Sequence, residues 1–342
     1  MPSKTVNRII YIVIVLIVST GIFFSYLYVT GSWNFDPATF PAMMEGTADR
    51  PYVYRVLMPL ISKSMARIIP EWFVGLSQKA PDTLKTMINS LSQGVYIRDA
   101  ILAVSLMYLS LVGFIFAEGT LLKELEYSDD AQRAIPMLLA ILILPLTMYH
   151  GYIYDLPQLF LFTLGLIFLL RRQWPLYLPL LILATLNKET SIFLVVIFAL
   201  YFFRSLDRKT YIILLAAQTI IYLVVHGWFM YLYRNNPGDI LVWTLNLHIT
   251  QYTKYPITFL VTLFFFGGIL FMVFKGWRSK PFFLRISFIV FFMMLVLFFV
   301  GGREMEFRVF IDILPIFGTL LFPYMRPTRP NPSSIDKPSL QA

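Results

Sequence analysis

Few side chains in this 342-residue chain can do chemistry, and most of them stand in short clusters. Asp36 and the pair Asp49-Arg50 follow the first long apolar segment, with Tyr54 and Arg55 close behind. Asp155 ends the string MYHGYIYD, and Lys188 and Glu189 stand side by side in LNKETS. Arg303, Glu304, Glu306 and Arg308 share the string GGREMEFR, and Asp312 lies one turn further on. These residues are of two useful kinds. A carboxylate can take a proton from an incoming hydroxyl, and Arg or Lys can hold a phosphate and the negative charge that develops on it. The chain has no cysteine, which excludes a thiol nucleophile, a disulfide framework and a Cys-ligated metal. Its 3 histidines are far apart. P-loop, dinucleotide, GxSxG and HExxH motifs are all missing from the sequence.

The elements that must position these clusters are membrane helices. The chain is 58% hydrophobic and 14% charged, with a mean hydropathy of +0.71, whereas a soluble domain is about one quarter charged. Ten apolar segments are candidate spans: 9–29, 100–117, 135–149, 156–170, 175–187, 190–203, 210–229, 257–274, 286–300 and 309–324. The first reads as an uncleaved anchor, since no small-x-small cleavage site follows it. Segments 175–187 and 190–203 read either as one broken helix or as a re-entrant pair. With the N-terminus in the cytoplasm and ten crossings, the inner pieces hold 16 basic residues against 7 acids, and the outer pieces hold 12 of each. The whole net charge of +9 then lies on one face, as the positive-inside rule requires. Fusing 175–203 into a single span would break that pattern. A nucleic-acid partner is not needed to explain the basic balance.

The expected fold class is therefore an all-α polytopic membrane protein with about ten transmembrane helices. Residues 1–325 form one transmembrane domain, and 326–342 form a Pro-rich, disordered cytoplasmic tail. The first outer loop, 30–98, contains the stretch 53–69. There Leu57, Leu60, Ile61, Met65 and Ile68 share one arc, and Arg55, Lys63 and Arg67 share another, the pattern of an amphipathic surface helix. The inner connection 118–134 reads as a solvated polar loop. Every chemistry-bearing cluster maps to the outer face, where ionisable groups at membrane depth are functional candidates.

Each cluster also has a structural reading. Asp36 and Asp49 would serve as helix caps or loop salt bridges, and Asp155 would be the N-cap of the helix that opens Leu-Pro. The preceding Tyr149, Tyr152 and Tyr154 would suit a sugar-stacking wall. Lys188 and Glu189 are adjacent, so on a helix they cannot face each other, and at least one needs a partner elsewhere. If 303–308 is helical, Arg303–Glu306 and Glu304–Arg308 form a local ion-pair lattice. His150 would act as a base or as an interfacial polar anchor.

Taken together these features resemble the GT-C superfamily of integral membrane glycosyltransferases, especially its short bacterial members. The resemblance rests on Asp36 and Asp49 in the first outer loop followed by PYVYRVLMP, on Asp155 in YIYDLP, on Asn187–Thr190, and on GREMEFR before the last span. It implies an inverting transfer from a polyprenyl-phosphate sugar to a hydroxyl at the extracytoplasmic face of the bacterial cytoplasmic membrane, with both termini inside. Asp49, or else Asp36, would be the general base. Arg303, Arg308 and Lys188 would hold the donor phosphate, with Glu189 and Glu304 or Glu306 orienting them, and Arg50, Tyr54, Arg55 and Asp155 complete the substrate-binding set. The expected partners are membrane lipids, the lipid-linked donor, and a glycan, lipid or protein acceptor. No metal ligand is assigned, and a divalent metal stays open because some members of the superfamily use one. The sequence shows no counterpart of the soluble periplasmic domain that many members use to bind acceptors. Two other classes compete: a transporter or lipid flippase, and a non-enzymatic subunit of an envelope polysaccharide assembly.

Overall fold

The computed structural model describes residues 4–30, 36–148, 150–239, 243–302 and 306–325. In chain order the helices are α1 (Lys4–Val29), α2 (Phe40–Glu45), α3 (Leu57–Met65), α4 (Glu71–Ser77), α5 (Asp82–Ser92), α6 (Ile97–Glu124), α7 (Asp129–Leu146) and α8 (Asp155–Leu170). They continue as α9 (Trp174–Asn187), α10 (Ile192–Phe202), α11 (Arg208–Leu232), α12 (Leu245–Lys254), α13 (Pro256–Phe274), α14 (Phe282–Ser287), α15 (Ile289–Gly301) and α16 (Leu314–Leu320). Helix α6 is central, packed by α8, α7, α3, α5 and α1.

Five stretches are long and apolar enough to cross a membrane: Thr5–Val29, Ile97–Glu124, Arg208–Leu232, Pro256–Phe274 and Phe282–Gly301. The other expected segments fold as shorter helices, namely α7, α8, α9, α10 and α16. At about 1.5 Å per residue these fall short of the roughly 30 Å of hydrocarbon in a bilayer. The outward faces of α11 and α13 are apolar, with Ile220, Leu223, Trp228, Phe264 and Phe271 all exposed. Such a continuous apolar surface suits lipid rather than water.

Two ends of the bundle are defined by contacts. At one, Arg171 pairs with Glu124 at 2.8 Å, Arg172 donates to the Ser205 carbonyl, Ser128 N–H donates to the Met325 carbonyl, and Lys280 donates to the Leu320 carbonyl. The basic connections thus gather together. Ser128 and Asp207 start α7 and α11 there as side-chain caps. The Thr210 N–H that Asp207 accepts holds its carboxyl below the usual range. At the opposite end lie the loop before α3, the start of α8, the turn between α9 and α10, and the segment after α15, joined by the bonds described below.

Residues 175–203 form two antiparallel helices rather than one fused span, with Trp174 at the start of α9 packed on Phe198 and Phe202 at the end of α10 at centroid distances of 5.6 and 5.4 Å. Three expectations change. The connection 118–134 is not a solvated loop. The apolar stripe Leu121–Leu122 carries α6 on to Glu124, and Glu118 and Tyr127 are fully buried, with Glu118 accepting from the Thr319 hydroxyl at 2.6 Å. The stretch 53–69 begins its helix only at Leu57, after a 3-10 turn over Tyr52–Tyr54, so Arg55 leaves the polar arc and is buried. Finally, 309–324 is not one helix, since a 3-10 segment, Phe307–Ile313, precedes α16. The tail 326–342 lies outside the described residues.

Candidate functional site

The turn between α9 and α10 is where the charges meet. Helix α9 stops because Lys188 is extended (φ −163°, ψ 143°), and the 3-10 turn Glu189–Ser191 follows. This break lets two adjacent side chains point to different partners. Lys188 lies 3.1 Å from Asp155 and 2.9 Å from Asp312, and Glu189 receives Arg55 in a two-pronged bridge at 2.5 and 3.1 Å. Thr190 donates to Asp312 at 2.8 Å. Arg308 reaches Asp155 at 3.2 Å and also pairs with Glu306. Asn187 ties the turn to α8 by donating to the Tyr154 carbonyl and to Gln158 at 2.9 and 3.0 Å. Three cations and four carboxylates from four parts of the chain are thereby locked together, and each cation satisfies acids that could not otherwise stay charged when buried.

Aromatic rings space the cations. Tyr152 and Tyr154 stack at 5.3 Å and 5°, Arg308 covers Tyr152 at 4.4 Å, and Arg55 covers Tyr154 at 4.4 Å. Both tyrosines are buried, so they back the site and cannot offer the open ring face that a sugar-stacking wall needs. Tyr149 lies outside the described residues.

Above this network is a cavity of about 220 Å³ lined by Tyr52, Tyr54, Arg55, Lys188, Glu189, His226, Glu306, Arg308 and Asp312. It shares Glu189, Thr190 and Leu297 with an open apolar groove of about 460 Å³. The groove is completed by Ile192 and Phe193 of α10, Tyr222 of α11, and Met293 and Val296 of α15. The charged cavity and the apolar groove are therefore neighbours, with Glu189, Thr190 and Leu297 in the wall of each.

Of the residues singled out in the sequence, Tyr54, Arg55, Lys188, Glu189, Glu306 and Arg308 line the cavity. Asp155 lies directly behind its wall. It is the first residue of α8 rather than its N-cap, and its carboxylate accepts from the Tyr152 N–H and from the two cations. Glu306 and Arg308 pair at the start of the 3-10 segment Phe307–Ile313, and the expected pairs Arg303–Glu306 and Glu304–Arg308 each include a residue outside the described ones. Arg303, Glu304 and the Asp36 side chain lie outside the described residues.

Asp49 and Arg50 sit just before the cavity-lining Pro51, outside the lining itself. Arg50 donates to the Gly238 carbonyl. The half-buried Asp49 carboxylate has no hydrogen bond or ion pair with any other described residue, whereas the network carboxylates Asp155, Glu189, Glu306 and Asp312 are each held by a cation. Asp312, Thr190, Tyr52 and His226 belong to the site without having been assigned to it. An acid inside an apolar run was the available signal for Asp312, and a lone histidine in 210–229 was the one for His226.

Among the described residues no group of three or more His, Asp and Glu side chains is arranged to hold a metal ion. No protein-family model, no curated protein and no solved structure matches this chain.

Proposed function

We propose that this chain is an integral membrane glycosyltransferase of the GT-C kind, moving a sugar from a polyprenyl-phosphate donor to a hydroxyl acceptor at the extracytoplasmic face. The observation that carries this reading is that the charged cavity and the apolar groove adjoin each other at Glu189, Thr190 and Leu297. A ligand that matches both ends has an anionic, polar head and a long apolar chain, which describes a lipid-linked sugar phosphate. The groove is lined by apolar side chains of α10, α11 and α15, which favours entry from the bilayer. The positive-inside pattern puts the basic end in the cytosol and the cavity outside. In this reading the shorter helices complete a set of about ten spans, tolerated because they pack against protein. Helices α3 to α5 lie at the outer interface, where Trp72, Leu76 and Ile68 are exposed.

The chemistry follows from the residues. The donor phosphate is met by N–H groups of Arg308, Lys188 and Arg55, and Asp155, Asp312, Glu189 and Glu306 behind them hold those cations in place. As the acceptor oxygen forms its bond to the anomeric carbon, the bond from that carbon to the phosphate oxygen breaks. The electron pair leaves with the polyprenyl phosphate, and the hydroxyl proton passes to the Asp49 carboxylate. Attack on the face opposite the leaving phosphate inverts the configuration.

Filling the groove tests the donor assignment. Val296→Trp and Leu297→Trp are expected to raise the KM for an undecaprenyl-phosphate hexose by about tenfold or more, on the scale of losing one or two buried methylene contacts. The melting temperature should stay unchanged. An unaltered KM in both variants would remove the groove from the donor site. The orientation has its own test, helped by a chain that contains no cysteine. A cysteine replacing the exposed Gln78 should react with an impermeant maleimide in intact cells, and one replacing the exposed Lys209 should react only after permeabilisation. The reverse pattern would place the cavity in the cytosol.

A further inference from the structure

The loop that carries Asp49 is held from outside by the segment that follows α11. Asn236 donates both hydrogens of its side-chain amide to that loop, one to the Gly46 carbonyl at 2.8 Å and one to the Ala48 carbonyl at 2.9 Å. The Arg50 N–H donates to the Pro237 carbonyl at 2.8 Å, and Arg50 and Gly238 form an isolated parallel β-bridge. The Asp49 N–H is taken by the Pro37 carbonyl at 2.9 Å, and its own carbonyl accepts from Val53. Gly238 has φ +82°, and a Cβ there would meet the Arg50 carbonyl oxygen at 2.6 Å, so only glycine permits this approach. The Tyr233 ring at the end of α11 also lies against Gly46.

The consequence is an asymmetry at residue 49. Its backbone is fixed on both sides, while its carboxylate has neither a cation nor a hydrogen-bond donor among the described residues. Such an arrangement leaves both carboxylate oxygens open to an incoming donor while restricting where they can go. The clamping residues continue from α11, which also supplies His226 to the cavity and Tyr222 to the groove. One helix thus ties the carboxylate to the wall of the site.

From this geometry we infer that Asn236 is a positioning residue for the Asp49 carboxylate, acting through the Gly46 and Ala48 carbonyls. The inference rests on the reading of Asp49 as the base, and two measurements keep the two claims apart. Asn236→Asp is nearly isosteric but loses the donors, and Asn236→Ala removes the group. Both are expected to lower kcat for transfer from an undecaprenyl-phosphate hexose by about 10–100-fold, the scale of a misplacement near 1 Å, with donor KM and melting temperature unchanged. In an Asp49→Asn background neither should lower kcat further. Equal losses in both backgrounds would overturn the inference, because Asn236 would then act without Asp49. If Asp49→Asn alone retained full turnover, the base assignment would fall, and the clamp would be judged by a readout that needs no activity. The thiol of Asp49→Cys is expected to react several-fold faster with a maleimide once Asn236→Asp is added, and an unchanged rate would overturn the clamp.

Discussion

Replacing Lys188 by methionine is expected to destabilise the protein by about 3–5 kcal/mol, the cost of breaking a buried charge pair by removing one partner. The ammonium is buried between Asp155 at 3.1 Å and Asp312 at 2.9 Å. Without it Asp155 keeps Arg308 and the Tyr152 N–H, whereas Asp312 keeps only the Thr190 hydroxyl among these partners. The damage should therefore be concentrated at Asp312. Adding Asp312→Asn to Lys188→Met should restore part of the lost stability, because it removes the stranded charge together with its partner. Denaturant or thermal unfolding of the two single variants and the double in detergent measures this. A double variant as unstable as the sum of the singles would show that the contact does not couple these residues.

The second large effect concerns turnover rather than folding. Asp49→Asn is expected to lower kcat by about 10²–10⁴-fold, the usual worth of a positioned general base, with little change in donor KM. Its stability should stay at the wild-type level, since no described residue depends on that carboxylate for an ion pair or hydrogen bond. The contrast between the two aspartates is the useful part. Asp155→Asn would unsettle both Lys188 and Arg308 and should damage stability and activity together. Comparing kcat and unfolding midpoints for the two substitutions distinguishes a base from a structural carboxylate. Loss of stability in Asp49→Asn would assign Asp49 to the framework instead.

Much of the architecture follows from hydropathy. Each of the ten apolar segments contains helix, and the adjacency of Lys188 and Glu189 was enough to demand partners from elsewhere, which proved to be Asp155 and Asp312 for one and Arg55 for the other. What stayed hidden depended on tertiary contacts. Arg55 has the spacing of a helix-surface residue, but the 3-10 turn before Leu57 swings it inward. Tyr152 and Tyr154 are two residues apart, and only the packing of α8 decides that they stack on each other between two guanidinium groups. Asp312 is four residues after Arg308, a spacing that suggests a helical pair, yet its cation is Lys188, which is 124 positions away in sequence. Glu118 opens a stretch that also holds Lys123, Glu124 and Glu126, yet it is buried because α6 continues past it.

The central claim is that the charged cavity and its apolar groove break a sugar–phosphate bond in a lipid-linked donor. Purified protein in proteoliposomes, given a panel of labelled undecaprenyl-phosphate hexoses and pentoses together with envelope extract as acceptor, tests it most directly. The account predicts release of undecaprenyl phosphate and labelled product from at least one donor, abolished by Asp49→Asn. Movement of intact donor from one leaflet to the other, with the sugar–phosphate bond uncleaved across the whole panel, would contradict it and identify a flippase.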